Sequence, residues 1–321
     1  MKLQTKIPLE KQSKNLIDYK SNILLLGSCF VENIGKKLDY YKFQNTQNPF
    51  GILFHPKAIE NFISHAINEK TYLEEAVFFH NEQWHCFHAH SKLSNTSKEN
   101  LLDDLNRNIK STNLQIKKST HIIITLGTAW VYRSVGTMEI VANCHKIPQR
   151  QFTKELLSVD EISKSIASIV NMIRGVNPKA SIIFTVSPIR HLKDGFVENT
   201  QSKAHLISAL HQFINQKSST ANSQSFYFPS YEMMMDELRD YRFYKEDMVH
   251  PSEIAIHYIW NRFHEVWISS KADKTMEEVN AIQKGLQHHP FNSTSEAHQK
   301  FLQKLELKKE ALRSQFLHIS F

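Results

Sequence analysis

Three short apolar runs punctuate the chain, at 22–26, 121–127 and 180–186. Each is continuous rather than alternating, which is the pattern of a strand buried on both faces. Between and after them the apolar period changes to that of a helix. Phe30, Ile34 and Leu38 recur at four-residue steps behind the first run. "HPKAIENFISHAINE" carries Ile59, Phe62, Ile63, Ala66 and Ile67 on one face, with Pro56 near its first turn. A polar helix over about 97–112 carries Leu101, Leu105 and Ile109. In 158–178, Val159, Ile162, Ile166, Ile169 and Ile173 form one stripe that stops at Gly175 and Pro178. Helical patterns also cover about 200–216 and 251–270, and the remainder to Phe321 is helical and rich in Glu, Lys and Gln. The stretch 41–51 reads as a short strand running into a loop. "EAVFFHNEQWHCFHAH" and "AWVYRSVGTMEIVA" read as hairpins, and "SFYF" as a fourth strand. Buried strands alternating with amphipathic helices predict an α/β protein with a mostly parallel sheet covered on both faces. Ligands of such sheets sit beyond the carboxyl ends of the strands. Gly27-Ser28, Gly127-Thr128 and Ser187-Pro188 each follow a buried run, so they are expected to converge on one sheet edge.

Composition narrows the picture little. Hydrophobic residues are 41% and charged residues 22% of 321, ordinary for a globular chain with a substantial core. The net charge of +7 comes from scattered lysines, with no block resembling a nucleic-acid arm. Three cysteines, Cys29, Cys86 and Cys144, imply no disulfide framework. "MKLQTKIPLEKQSKN" has no apolar core of a signal peptide and no run is long enough to span a membrane, so a cytoplasmic protein without membrane or nucleic-acid partners is expected.

Two stretches carry the candidate chemistry. Ser28 stands where the first strand gives way to a helix, either as that helix's N-cap or as a nucleophile at the mouth of the sheet. In "FYKEDMVHPSEIAIHYIW", Asp247 and His250 are three residues apart just before a helix. That spacing lets a carboxylate hold one imidazole nitrogen while the other takes a serine proton. In "HNEQWHCFHAH" a strand would place Cys86, His88 and His90 on one face. No second cluster of metal-ligand spacing accompanies them, so no metal or other cofactor is expected.

The ordered series "LLLGSCFVENIG", "NPFGILFHP", "TLGTAWVY", "NCHKIP", "VSPIRH" with the following "SKAHL", and "RDYRFYKEDMVHPS" resembles the GSCFA-domain family of the SGNH/GDSL-type hydrolase superfamily. The resemblance implies a flavodoxin-like three-layer α/β/α sandwich over 1–270, with added hairpins and a C-terminal helical extension over 271–321 that is structural or an oligomer contact. It implies Ser28 as nucleophile, His250 as base and Asp247 as its orienter. For the oxyanion hole it implies the amides of Ser28 and Gly51. The superfamily's usual asparagine position falls on Ala129, which leaves Asn48 or Thr128 as candidate third donors. His145, Lys146 and Arg190 are candidates to contact an anionic or polyhydroxy substrate, His90 and Trp130 to line the ligand mouth, and His191 is the rival base. The implied reaction is hydrolysis of an acyl ester, with O-acetyl groups on a carbohydrate as the preferred substrate. Acyl transfer by the same residues, or ligand binding without catalysis, are the alternatives.

Overall fold

The computed structural model describes residues 5–216 and 224–321. Five strands form one parallel sheet: β1 (Asn22–Gly27), β2 (Gln44–Gln47), β5 (His121–Leu126), β9 (Ser181–Val186) and β10 (Ser225–Tyr227), in the order β2-β1-β5-β9-β10. The chain crosses from β1 to β2 through α1 (Cys29–Tyr40). It returns on the other side of β1 through α2 (Pro56–Ile67), the hairpin β3 (Phe78–His80) and β4 (Gln83–His85), and α3 (Lys98–Lys118). Between β5 and β9 lie a three-stranded antiparallel sheet, β6 (Trp130–Ser134), β7 (Ile140–Val141) and β8 (Phe152–Leu156), and α4 (Val159–Val176). Helix α5 (Phe196–Asn215) leads toward β10. Beyond β10, α6 (Ser230–Glu232) runs into a π turn at Met233–Glu237, followed by α7 (Glu253–Trp267), α8 (Ser270–Leu286) and α9 (Glu296–Gln315).

Successive side chains of a strand point to opposite faces, and this divides the core in two. Leu24, Leu26, Ile122, Ile124, Ile182 and Phe184 pack under α2, α3, α4 and α5. Ile23, Leu25, Ile123 and Ile183 pack under α1, α7, α8 and α9. Burial on both faces is why these strands read as unbroken apolar runs. The result is the three-layer α/β/α sandwich with flavodoxin-like strand order that the family resemblance implies. Leu305 and Leu312 of α9 and Val279 and Ile282 of α8 are buried in the second core, so the C-terminal helices complete one outer layer. Among the described residues no helix is long and apolar enough to cross a membrane.

Two local expectations are corrected. The strand β8 belongs with the β6–β7 hairpin, where no strand is predicted; its residues are only partly buried after Phe152, so no apolar run marks it. And Cys86, His88 and His90 do not share a strand face. Strand β4 ends at His85, and the Ala89 amide donates to the Cys86 carbonyl at 3.1 Å, turning the chain.

Candidate active site

The order β2-β1-β5 places the topological switch point between β1 and β5, the place where open α/β sheets leave a crevice. Ser28 follows β1 there and Gly127 follows β5. Gly27 has φ +126°, and a Cβ on it would overlap the Thr125 carbonyl. Glycine therefore lets β1 turn tightly against β5 just before the serine. Ser187, after β9, joins the same edge by donating its amide to the Leu126 carbonyl at 2.8 Å. The three strand ends converge as their sequence positions predict.

Ser28 occupies the N-cap of α1 with φ −69° and ψ 167°, yet its side chain makes no capping hydrogen bond. The Val31 amide, which a capping hydroxyl commonly satisfies, donates to the Ser28 carbonyl at 2.9 Å instead. Ser28 is fully buried and its Oγ has no hydrogen-bond partner. Cys29, Phe54, Thr128 and His191 line a cleft of about 790 Å³ at this edge, together with Trp130, Tyr132, Phe152, Arg190, Asp247 and His250.

Asp247 and His250 meet in the way their spacing predicts. His250 Nδ1 lies 2.7 Å from Asp247 Oδ2, and the amides of Val249 and His250 each donate to Asp247 Oδ1 at 2.9 Å. Those hydrogen bonds, the backbone ones foremost, hold the Asp247 carboxyl down at about 2. An ionised carboxylate fixes Nδ1 as the donor and leaves His250 Nε2 as an acceptor. No hydrogen bond joins His250 to Ser28 in this arrangement.

A second histidine stands nearer the serine. A Cβ placed on Gly127 would lie 3.2 Å from Ser28 Cβ and 3.4 Å from His191 Nε2. His191 Nε2 is buried and, like Ser28 Oγ, has no partner. Its ring packs edge-on against Phe54 at 5.4 Å, and its amide donates to Asn199 Oδ1 at 2.9 Å. Burial first, then the charges of Lys203 and His250, push its pKa down to about 3.

Lys203 is a buried residue at this sheet edge that residue-by-residue reading of the sequence does not single out. It is fully buried on α5 and donates to the carbonyls of Gly127 at 2.6 Å and Ser187 at 2.8 Å. One ammonium thus ties the loops after β5 and β9 together. Burial brings its pKa down to about 7, against the opposing influence of Cys29. A lysine so rarely buried signals a special role only once the tertiary fold is known.

The groups expected at the oxyanion hole are engaged elsewhere. The Ser28 amide donates to the Thr125 carbonyl at 3.0 Å and the Gly51 amide to the Asn48 carbonyl at 2.7 Å. Asn48 Oδ1 accepts from the Gly27 amide at 2.9 Å. Thr128 Oγ1 faces Ser202 Oγ at 3.0 Å and accepts from the Trp130 amide at 3.0 Å. Of the substrate-contact candidates, Trp130, Arg190 and His191 line the cleft, whereas His90, His145 and Lys146 do not. His145 is tied to Ser91 Oγ at 3.0 Å and the Cys86 carbonyl at 2.8 Å. His90 packs against Gly51 and accepts from the Lys92 amide at 3.2 Å. Among the described residues no three His, Cys, Asp or Glu side chains are grouped to hold a metal ion.

The fold is an α/β/α sandwich of this strand order, with Ser28 at the switch point and Asp247 and His250 lining the cleft at the same edge. The profile of the GSCFA family matches residues 22–263, and that of the GSCFA domain protein, C-terminal domain, matches residues 279–321. The chain belongs to the GSCFA family. None of the curated proteins compared with it matches. Among solved structures it is similar to an acetyl xylan esterase (Est2A) from the rumen bacterium Butyrivibrio proteoclasticus, with a TM-score of 0.38 and 10% identity. That match covers 85% of this chain and 66% of the other.

Proposed function

We propose that this chain is a serine esterase acting on O-acyl groups, with Ser28, His250 and Asp247 as its triad. The observation that carries the reading is the Ser28 hydroxyl: it sits at a helix start, caps nothing, and lies beneath a cleft whose wall holds an oriented histidine. Ser28 Oγ adds to the acyl carbonyl as its proton passes to His250 Nε2, and the carbonyl π pair becomes the oxyanion. Collapse breaks the bond to the alcohol, which takes the proton from His250. Water then releases the acyl group by the same sequence, with His250 as base and then acid. Asp247 holds Nδ1–H throughout. The Ser28 and Gly51 amides serve the oxyanion only by exchanging their present carbonyl acceptors. An O-acylated carbohydrate is the substrate class favoured by the superfamily resemblance, and Trp130, Tyr132 and Phe152 give the cleft aromatic surface for a sugar face.

The chemistry requires Ser28 Oγ to reach both substrate and His250, and its complete burial favours a second reading, a ligand-binding module without turnover. A fluorophosphonate probe separates the two. The esterase reading expects a stoichiometric adduct on Ser28, lost in Ser28→Ala and strongly slowed in His250→Ala. Absence of labelling, with no cleavage across a panel of acetyl and longer aryl esters, would leave the binding module.

A further inference from the structure

We infer that the His191 Nε2–H group donates to the oxyanion formed on Ser28, in the role for which Ala129 offers no side-chain donor. The inference rests on the esterase reading and adds a catalytic residue to it.

Position comes first. Gly127 carries no side chain, and the point its Cβ would occupy is bordered by the Phe54 carbonyl oxygen at 3.0 Å, Ser28 Cβ at 3.2 Å and His191 Nε2 at 3.4 Å; that carbonyl already accepts from the Gly127 and Thr128 amides at 2.7 and 3.1 Å. The inference places the oxygen of a carbon bonded to Ser28 Oγ in this space, which Nε2 also borders. The partnerless state of both atoms comes next. A buried polar group without a partner costs free energy, and here two such atoms lie at the same sheet edge, each on a residue that borders Gly127. An oxyanion between them would satisfy the donor. The competing donors, the amides of Ser28 and Gly51, already have acceptors, and the side chains of Asn48 and Thr128 are engaged.

The chemistry of the ring selects donation over proton abstraction. A useful base has a pKa near the working pH. His191 is enclosed against Phe54, beside the Lys203 ammonium and facing His250, and these hold the imidazole neutral down to about pH 3. A neutral imidazole keeps one N–H and has little appetite for another proton, so it suits hydrogen-bond donation to developing negative charge. His250 is half-exposed, and its carboxylate partner steadies the imidazolium that forms.

The test compares His191→Ala and His191→Gln with the wild-type chain, on an aryl ester, across pH. Removal of one oxyanion donor lowers kcat by about 10²–10³-fold. His191→Ala is expected to show that loss in kcat, with KM within about threefold and the midpoint of the acid limb of kcat/KM unmoved. His191→Gln, which presents an amide N–H, is expected to recover at least tenfold of it. Equal loss in both variants, or a displaced acid limb, would overturn donation in favour of a base role. Wild-type kcat in His191→Ala would overturn it outright. Where His191→Ala does not fold, His191→Gln decides alone: a loss in kcat of no more than about 100-fold with the acid limb unmoved supports donation, and a larger loss or a displaced limb overturns it. If the wild-type chain cleaves no ester and takes no fluorophosphonate, the esterase reading itself falls and the inference with it. Ester cleavage that survives in Ser28→Ala would likewise remove the nucleophile, not the histidine, from the scheme.

Discussion

Helices α1 and α4 begin alike and use their first serine differently. Ser28 has φ −69° and ψ 167°; Ser158 has φ −68° and ψ 161°. At Ser158 the hydroxyl accepts from the Glu161 amide at 3.2 Å, and the Glu161 carboxylate accepts from the Ser158 amide at 2.8 Å, a complete capping box. At Ser28 the same position three residues on is Val31, whose amide is satisfied by the Ser28 carbonyl. The hydroxyl is left over. Helices α3, α7, α8 and α9 also begin at serines, Ser97, Ser252, Ser269 and Ser295, and each of these side chains accepts a capping bond. Backbone geometry that supports a cap is therefore present at Ser28 while the cap is not. A serine retained in a buried position without structural work is the pattern expected of a group held for chemistry.

The contrast is broken most directly at Ser28. Ser28→Ala is expected to lower ester turnover by at least about 10⁴-fold, the scale on which triad nucleophiles act. Because no cap is lost and an unpartnered buried hydroxyl is removed, stability should hold or rise by about 1–2 kcal/mol. Urea unfolding beside turnover checks both halves. A drop of a kilocalorie or more with activity intact would make Ser28 an ordinary cap. Asp247→Asn comes next. The carboxyl titrates at about 2, so it is ionised at any ordinary assay pH, and its replacement by a neutral amide should cost about 10⁴-fold in kcat at neutral pH. Near-wild-type turnover in a folded Asp247→Asn variant would count against an orienting role.

How much of this was legible in the sequence depended on whether a contact was local. The strands β1, β5 and β9 announced themselves because both of their faces are buried. The Asp247–His250 pair was legible because three residues of loop are enough to make it. Ser28 was visible as a helix start, but its free hydroxyl was not, since the amide of Val31 could have gone to either Ser28 oxygen. His191 and Lys203 depend on tertiary packing. His191 is 163 positions from Ser28 along the chain, and only the adjacency of β1, β5 and β9 brings them together. Lys203 sits on a helix where solvation is the ordinary expectation, yet the fold encloses it against two strand ends. The histidines around Cys86 misled in the opposite direction, because a turn after His85 destroys the alternation that a longer strand would have imposed.

A third test concerns α2, which is capped by a histidine. His55 Nδ1 accepts from the Ala58 amide at 3.1 Å while Nε2 lies 3.1 Å from the Val141 carbonyl. Nδ1 can accept only while unprotonated. Burial lowers the His55 pKa to about 4. In the unfolded chain it takes up a proton near the ordinary value of about 6.5, so protonation favours unfolding. The stabilisation is fully present above about pH 6.5 and is lost as pH falls toward 4, amounting to on the order of 3 kcal/mol. His55→Asn, which keeps a capping acceptor, should flatten the dependence of unfolding free energy on pH in that window. An unchanged slope would show that His55 is not what acid attacks.

The smallest expected effect falls at Ser158, and it completes the comparison with Ser28. Its capping box is exposed and lies outside the residues that line the cleft. Ser158→Ala removes the bond that the hydroxyl accepts from the Glu161 amide and the one it donates to the Glu161 carboxylate at 2.7 Å, while the Ser158 amide, the chief cause of that carboxyl's lowered pKa, stays in place. Loss of a serine cap costs about 1 kcal/mol. Helix α4 packs Ile162, Ile166, Ile169 and Ile173 into the core under the sheet, so tertiary burial should keep it folded, and the cost should appear as a shift of the urea midpoint with the slope unchanged. Turnover per folded molecule should equal that of the wild-type chain. The two serines then give mirror-image results: at Ser158 stability falls and activity stays, at Ser28 activity falls and stability stays. A Ser158→Ala variant with impaired turnover at full folding would mean that the start of α4 communicates with the cleft, and the unused cap at Ser28 would no longer be the feature that sets the two helix starts apart.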